Sequence, residues 1–278
     1  MKPWRADDTV RAMTYAGKPI VLTGASAGIG RALALALARQ RPRLVLAARD
    51  AAALEAVAAE CRALGAEALV VPTDVADPEA CRRLIARAAE AFGGIDVLVN
   101  NAGASMMARF DEMTDLSVFE SLMRVNYLSC VHLTHAALPH LKKARGQVVA
   151  IASLAGLTGV PTRTGYAASK HAVIGFFDSL RIELAGTGVG VTIVAPDFVV
   201  SEIHRRSLGA DGRPIGTSPM QESRIMTAEE CASLTLTAME DRRRLAVLSA
   251  RGRWGRYVRL VAPGLIDAIA ARAVREGK

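Results

Sequence analysis

Aromatic residues are scarce: Trp, Tyr and Phe together make up 4% of the 278 residues. A surface that stacks single-stranded nucleic acid interleaves aromatics with basic residues, and this chain has no such stretch. Cysteines are few and scattered. Cys61, Cys81, Cys130 and Cys231 form no CxxC pair, which argues against a zinc or disulfide framework and for free thiols in a reducing compartment. Long hydrophobic runs are missing too. The longest, Ala32–Ala38, falls far short of the roughly 18 residues that a membrane span needs. The opening Met1-Lys2-Pro3-Trp4-Arg5, followed by Asp7 and Asp8, has no apolar core of a secretory signal, so a cytoplasmic location is expected. Low-complexity tracts, internal repeats and Pro/Ser-rich linkers are likewise absent.

The formal charge of +8 is unevenly placed. From Asp241 to Lys278 there are ten basic residues against Asp241, Asp267 and Glu276, so the basicity belongs to the tail and the body is nearly neutral. That distribution, without a recognised motif, predicts no nucleic-acid partner.

What is present is a regular alternation. Short β-branched runs at Pro19–Thr23, Leu44–Ala47, Ala68–Val71, Ile95–Val99, Gln147–Ala152, Val189–Ala195 and Leu245–Ser249 read as buried strands. Helical patterns lie between most of them: Gly28–Gln40, Ala51–Leu64, Pro78–Phe92, Leu116–Lys143, Tyr166–Ala185 and Ala228–Glu240. Asp50, Asp77 and Thr227 stand where helix caps belong. Strand, helix, strand in this rhythm predicts a single doubly wound α/β (Rossmann-type) domain, with about seven mostly parallel strands and helices on both faces. Residues 1–17 read as an N-terminal extension, 18–250 as the catalytic domain, and 251–278 as a basic helical extension. The irregular stretch 201–226 reads as a substrate loop.

The first strand runs into Thr23-Gly24-Ala25-Ser26-Ala27-Gly28-Ile29-Gly30, and a helix follows. Glycines there permit a tight turn and close approach of backbone to a pyrophosphate, which the helix amino end attracts. Tyr166 and Lys170 lie four apart on a helix, and so on one face. An ammonium beside a phenol favours the phenolate, which suits Tyr166 for acid–base work on a carbonyl or alcohol oxygen. Ser153, thirteen residues earlier at a strand end, can hold the same oxygen.

The spacing T-G-x-x-x-G-I-G resembles that of the short-chain dehydrogenase/reductase family. The family's N-N-A-G stands at Asn100-Asn101-Ala102-Gly103, its Asp-Val pair at Asp74-Val75, and its Y-x-x-x-K at Tyr166–Lys170. Its serine falls at Ser153 and its helical asparagine at Asn126. The resemblance implies a catalytic set of Asn126, Ser153, Tyr166 and Lys170. In it Lys170 also holds the nicotinamide ribose, and Asn126 organises a proton-relaying water. It implies a cofactor site from Gly24, Ser26, Gly28, Ile29, Gly30, Arg31, Arg49, Asp74, Val75, Asn101, Ala102, Gly103, Tyr166, Lys170, Pro196, Val199 and Ser201. The tail and the Tyr166–Arg181 stretch are similar to an NADP-preferring subgroup that includes dehydrogenase/reductase member 7B and 11-beta-hydroxysteroid dehydrogenase type 1.

Cofactor choice turns on the end of the second strand. About 20 residues beyond the glycines, where NAD-binding chains place an acid, stands Ala48, followed by Arg49. NADP is therefore expected, with Arg49, Arg31 and Ser26 near its phosphate. Asp50 is the rival acid, but helix capping explains it better. The family's Pro-Gly is Pro196-Asp197 here, a loss expected to restrict the backbone near the nicotinamide, while Ser201 keeps a hydroxyl in the place of the family's threonine. The expected substrate is a small-molecule carbonyl or alcohol. Met106, Met107, Met220 and Met226 read equally as core filling or as a lipophilic pocket, whose wall would run near Met106, Leu157 and Arg163. A 3-oxoacyl-carrier-protein reductase and a non-catalytic nucleotide-binding protein are the competing readings. Histidines 132, 135 and 140 have no acid at ligand spacing, and no metal is expected. Family members pair through the helices carrying Asn126 and Tyr166, implying a homodimer or higher. The apolar stripe from Tyr257 to Val274 reads either as a helix packed on the body or as a face resting on anionic lipid.

Overall fold

The computed structural model describes residues 14–217 and 225–275. Among these residues seven strands form one sheet: β1 Pro19–Thr23, β2 Arg43–Ala48, β3 Glu67–Pro72, β4 Val97–Asn100, β5 Gln147–Ile151, β6 Gly190–Ala195 and β7 Leu245–Val247. All pairings are parallel, in the order β3-β2-β1-β4-β5-β6-β7. The order reverses between β1 and β4, and a crevice opens beyond the carboxyl ends of strands at such a point.

The strands bury both faces, as parallel strands do. Ile20 and Leu22 of β1 face one core and Val21 the other, following the period of two. Helices α1 (Gly28–Ala38), α2 (Ala51–Ala63) and α7 (Ala228–Glu240) cover the first face. Helices α3 (Pro78–Phe92), α5 (Ser129–Ala144) and α6 (Thr164–Glu183) cover the second. Asp50, Asp77 and Thr227 accept backbone N–H groups and start α2, α3 and α7.

Three departures from the sequence reading matter. The extension ends in the core: Tyr15 is fully buried, and its hydroxyl bonds Gln147 Oε1 at 3.3 Å. Residues 1–13 lie outside the described residues. The helical run expected from Leu116 is α4 (Ser117–Met123) and α5 joined by a π-helical turn, Arg124–Leu128. A π-turn and an α-turn share one apolar pattern, so periodicity does not separate them. The last strand stops at Val247 because Ser249 caps a new helix, accepting the Gly252 N–H. That helix, α8 (Ala250–Val261), breaks at Ala262 before α9 (Pro263–Arg275). The side chains of Ala273, Val274 and Arg275, and the whole of Met220, lie outside the described residues.

Candidate active site

A cavity of about 1100 Å³ lies beyond the carboxyl ends of β1 to β6. Its floor is the glycine loop. Thr23 Oγ1 accepts the N–H groups of Asn101 (3.0 Å) and Ala102 (3.1 Å), tying the β1 and β4 ends together. Asn101 Nδ2 donates to Thr23 O at 2.8 Å and Gly24 O at 3.2 Å, so its amide holds the loop in shape. Two glycines are obligatory. Gly24 has φ +64°, and a Cβ there would meet Ala102 Cα at 2.9 Å, while a Cβ on Gly30 would stand 2.0 Å from Gly24 O. Helix α1 begins at Gly28 with no side-chain cap and no acid in its first turn. Its free N–H groups and positive dipole end face the cavity and fit an anion. A Cβ on Gly28, whose φ is +52°, would meet Ser201 Cβ at 3.1 Å and close in on that cradle.

Asp74, Val75, Ala102, Gly103, Pro196 and Val199 also line the cavity, as do Ser26, Ile29 and Ser201. Arg49 sits at its lip beside Ala48 and Asp50, with no charge or hydrogen-bond partner among the described residues, whereas Asp50 accepts the Ala53 N–H. Arg31 is elsewhere. Its Nη2 donates to both carboxylate oxygens of Glu60 in α2, at 2.7 and 2.9 Å, and it does not line the cavity.

The four expected catalytic residues converge at the cavity end of α6. Lys170 is buried, donates to Ile151 O at 2.9 Å, and holds its ammonium 5.9 Å from the centre of the Tyr166 ring. Ser153 Oγ accepts the Ala155 N–H at 3.1 Å, which leaves its own O–H free to donate into the cavity. Asn126, on the π-turn, is buried. Its Oδ1 accepts the Ala104 N–H at 2.8 Å, and its Nδ2 donates to Ala104 O (3.0 Å) and Ser169 Oγ (2.8 Å). The side chain therefore clamps the loop after β4 to the helix that carries Tyr166 and Lys170.

Other residues depart from the sequence reading or were missed by it. Met106 is buried beneath the cavity with Val118 and Leu122, and its sulfur accepts the Gly165 N–H, so it is a support and not a wall. Leu157 and Arg163 do line the cavity. Asp197 keeps a negative φ, so the missing glycine costs no strain. Its carboxylate takes Arg251 of α8 at 2.5 and 2.8 Å and the Ser249 hydroxyl at 2.7 Å. Burial alone would raise this carboxyl, but those bonds, the Arg251 charge and the Phe198 N–H outweigh it and hold it below the usual carboxylate range. Through this pairing α8 and α9 become the cavity's outer wall, with Val258, Ile266 and the more exposed Leu265 and Ile269 along its lining.

The family model described as short chain dehydrogenase matches residues 18–210. The chain is 34% identical over 260 residues to a dehydrogenase/reductase SDR family protein 7-like of Dictyostelium discoideum, covering 91% of this chain and 81% of the relative. It is 39% identical over 224 residues to 11-beta-hydroxysteroid dehydrogenase-like 4A of Arabidopsis thaliana, covering 80% of this chain and 73% of the relative. A solved short-chain dehydrogenase/reductase from Burkholderia phymatum, in complex with NAD, superposes with a TM-score of 0.80 at 30% identity, over 91% of this chain and 96% of that one. With this sheet order, this glycine loop and these relatives, the chain belongs to the short-chain dehydrogenase/reductase family, whose members are oxidoreductases that bind a nicotinamide cofactor.

Proposed function

We propose that the protein is an NADP(H)-dependent oxidoreductase acting on a carbonyl or secondary alcohol of a lipophilic substrate. The convergence of Ser153, Tyr166 and Lys170 on the cavity that also receives the uncapped end of α1 carries this reading. When bound, the cofactor supplies or accepts the hydride. The amino end of α1 would take its pyrophosphate, Lys170 its nicotinamide ribose, and Arg49 a 2′-phosphate. Tyr166 gives a proton to the carbonyl oxygen, or takes one from the alcohol, and the Ser153 hydroxyl donates to that same oxygen. Lys170 stabilises the phenolate left behind. Leu157, Val258, Leu265, Ile266 and Ile269 supply apolar wall for a lipophilic substrate.

Three wider features of this reading go beyond the site. A homodimer through α5 and α6 suits the exposed Leu128 and Ile182 that this helical layer presents. Contact of the outer face of α8 and α9 with anionic lipid suits its arginines and exposed apolar side chains. Four free, buried thiols suit the cytoplasm.

Oxidation of NADPH over a panel of lipophilic ketones and aldehydes tests the reaction. Tyr166→Phe should cut turnover about 10²–10⁴-fold, the range for a lost proton-transfer group, with NADPH binding retained. Lys170→Met should impair both. Near-normal turnover by the Phe variant would overturn the assignment.

A further inference from the structure

Arg163 is the cavity residue whose placement is hardest to explain by packing. It lines the cavity yet is only 5% exposed, and it stands at the N-cap of α6, where the helix dipole opposes a positive charge. Among the described residues, no carboxylate pairs with it. Its Nη1 donates to Ser105 Oγ at 3.0 Å, and its Nη2 is buried with no hydrogen-bond partner among the described residues. Burial pulls its pKa down, opposed only by Tyr166. The guanidinium carbon lies 5.3 Å from the centre of the Phe198 ring and 5.9 Å from that of Tyr166. The preceding Thr162 has φ +64°, a left-handed conformation that a β-branched residue seldom adopts, and the chain turns there just before Arg163. Filling space between two rings needs no charge, and an apolar side chain would do it without burying a cation.

We propose that Arg163 anchors a carboxylate of the substrate, which makes the substrate class an apolar oxo acid or hydroxy acid. The inference rests on the reading of this cavity as a carbonyl/alcohol site. The reacting oxygen goes to Tyr166 and Ser153, the carboxylate to the guanidinium of Arg163 where it borders the cavity, and the hydrocarbon to the wall formed by Leu265 and Ile269. A planar guanidinium edge matches a planar carboxylate, and the bond is strongest where water is excluded. The cofactor's phosphates are not the anion in question. The partners of Arg163 are Ser105, Phe198 and Tyr166, whereas the glycine loop has the amino end of α1.

Octanoate and octanamide share size and shape and differ in charge. Calorimetry with the NADPH-saturated protein should find octanoate bound roughly 10- to 100-fold tighter, the range for a charge-assisted hydrogen bond. Arg163→Gln should abolish that preference, and Arg163→Lys should restore part of it. Equal affinity of the unaltered protein for the two ligands, or no binding of octanoate, overturns the proposal without recourse to any variant. An Arg163→Gln variant that loses both ligands equally also overturns it, because that marks a positioning role. The two readings fail separately. Octanoate preference in a protein that binds neither NADPH nor NADH refutes the oxidoreductase and leaves the anchor. NADPH-dependent ketone reduction without octanoate preference does the reverse.

Discussion

Arg31 and Arg49 show why a residue's type and place in a motif do not fix its task. Both follow elements that shape a phosphate site, and the sequence reading assigns both to it. Helix α1 turns Arg31 toward α2, where its Nη2 meets both carboxylate oxygens of Glu60, and this points the side chain away from the cavity. Arg49 has no such partner and stands at the cavity lip. A 2′-phosphate there gains charge-assisted hydrogen bonds of roughly 1.5–3 kcal/mol each, which NAD cannot make. Arg49→Ala should therefore weaken NADPH binding by 10-fold or more on the order of that energy and leave NADH nearly unchanged. Arg31→Ala should change neither by much. Equal affinity of the unaltered protein for both cofactors would contradict NADP preference. The cysteines carry no comparable role: burial pushes Cys61 up to about 11 and Cys81 and Cys231 to about 12, so these thiols stay protonated.

At the scale of elements, α8 is held to the domain by a pair that replaces a glycine. Asp197 and Arg251 are far apart in sequence and meet at the cavity rim. The Asp197 carboxyl lies below its unfolded value of about 3.9, so its contribution is present above that pH and fades as the pH falls toward the folded value. Arg251→Ala should cost about 1–3 kcal/mol, the penalty for leaving a buried acceptor without its charged donor. It should also speed hydrogen exchange in Ala250–Val261 more than in the sheet. Unchanged exchange there would show that the pair is not what docks the helix. The legibility of the site follows the same divide between local and distant contacts. The glycine loop, the Tyr166–Lys170 pair and the caps at Asp50 and Asp77 were readable because each is a local pattern with a local cause. The Asn126 clamp, the Asp197–Arg251 pair and the burial of Arg163 depend on chain segments meeting in space, and no periodicity encodes them. Tyr15 falls in the expected extension for the same reason, since its partner Gln147 lies in β5.

The whole molecule carries its charge asymmetrically, and the asymmetry coincides with its most apolar surface. Ten of the basic residues fall between Asp241 and Lys278, and the helices of that segment expose Trp254 (74%), Leu260 (80%) and Val261 (84%). No helix among the described residues is long and apolar enough to cross a membrane. A face of this kind, apolar with arginines around it, suits the surface of an anionic bilayer, where each cation contributes about 1 kcal/mol. Because α9 also lines the cavity, a substrate dissolved in lipid would meet the site directly from that face. The protein should co-sediment with phosphatidylserine-containing vesicles at low salt and be released at high salt, since screening weakens the attraction. Replacing Leu260 and Val261 together by Gln should weaken sedimentation while NADPH affinity stays unchanged, because neither side chain lines the cavity. Light scattering on the same preparation, before vesicles are added, should report a dimer at micromolar concentration, and a monomer would remove the α5–α6 pairing. Protein that stays in the supernatant at low salt would refute the lipid contact and leave the exposed face to a second copy of the chain, which the light scattering would then have to reveal as an assembly larger than a dimer.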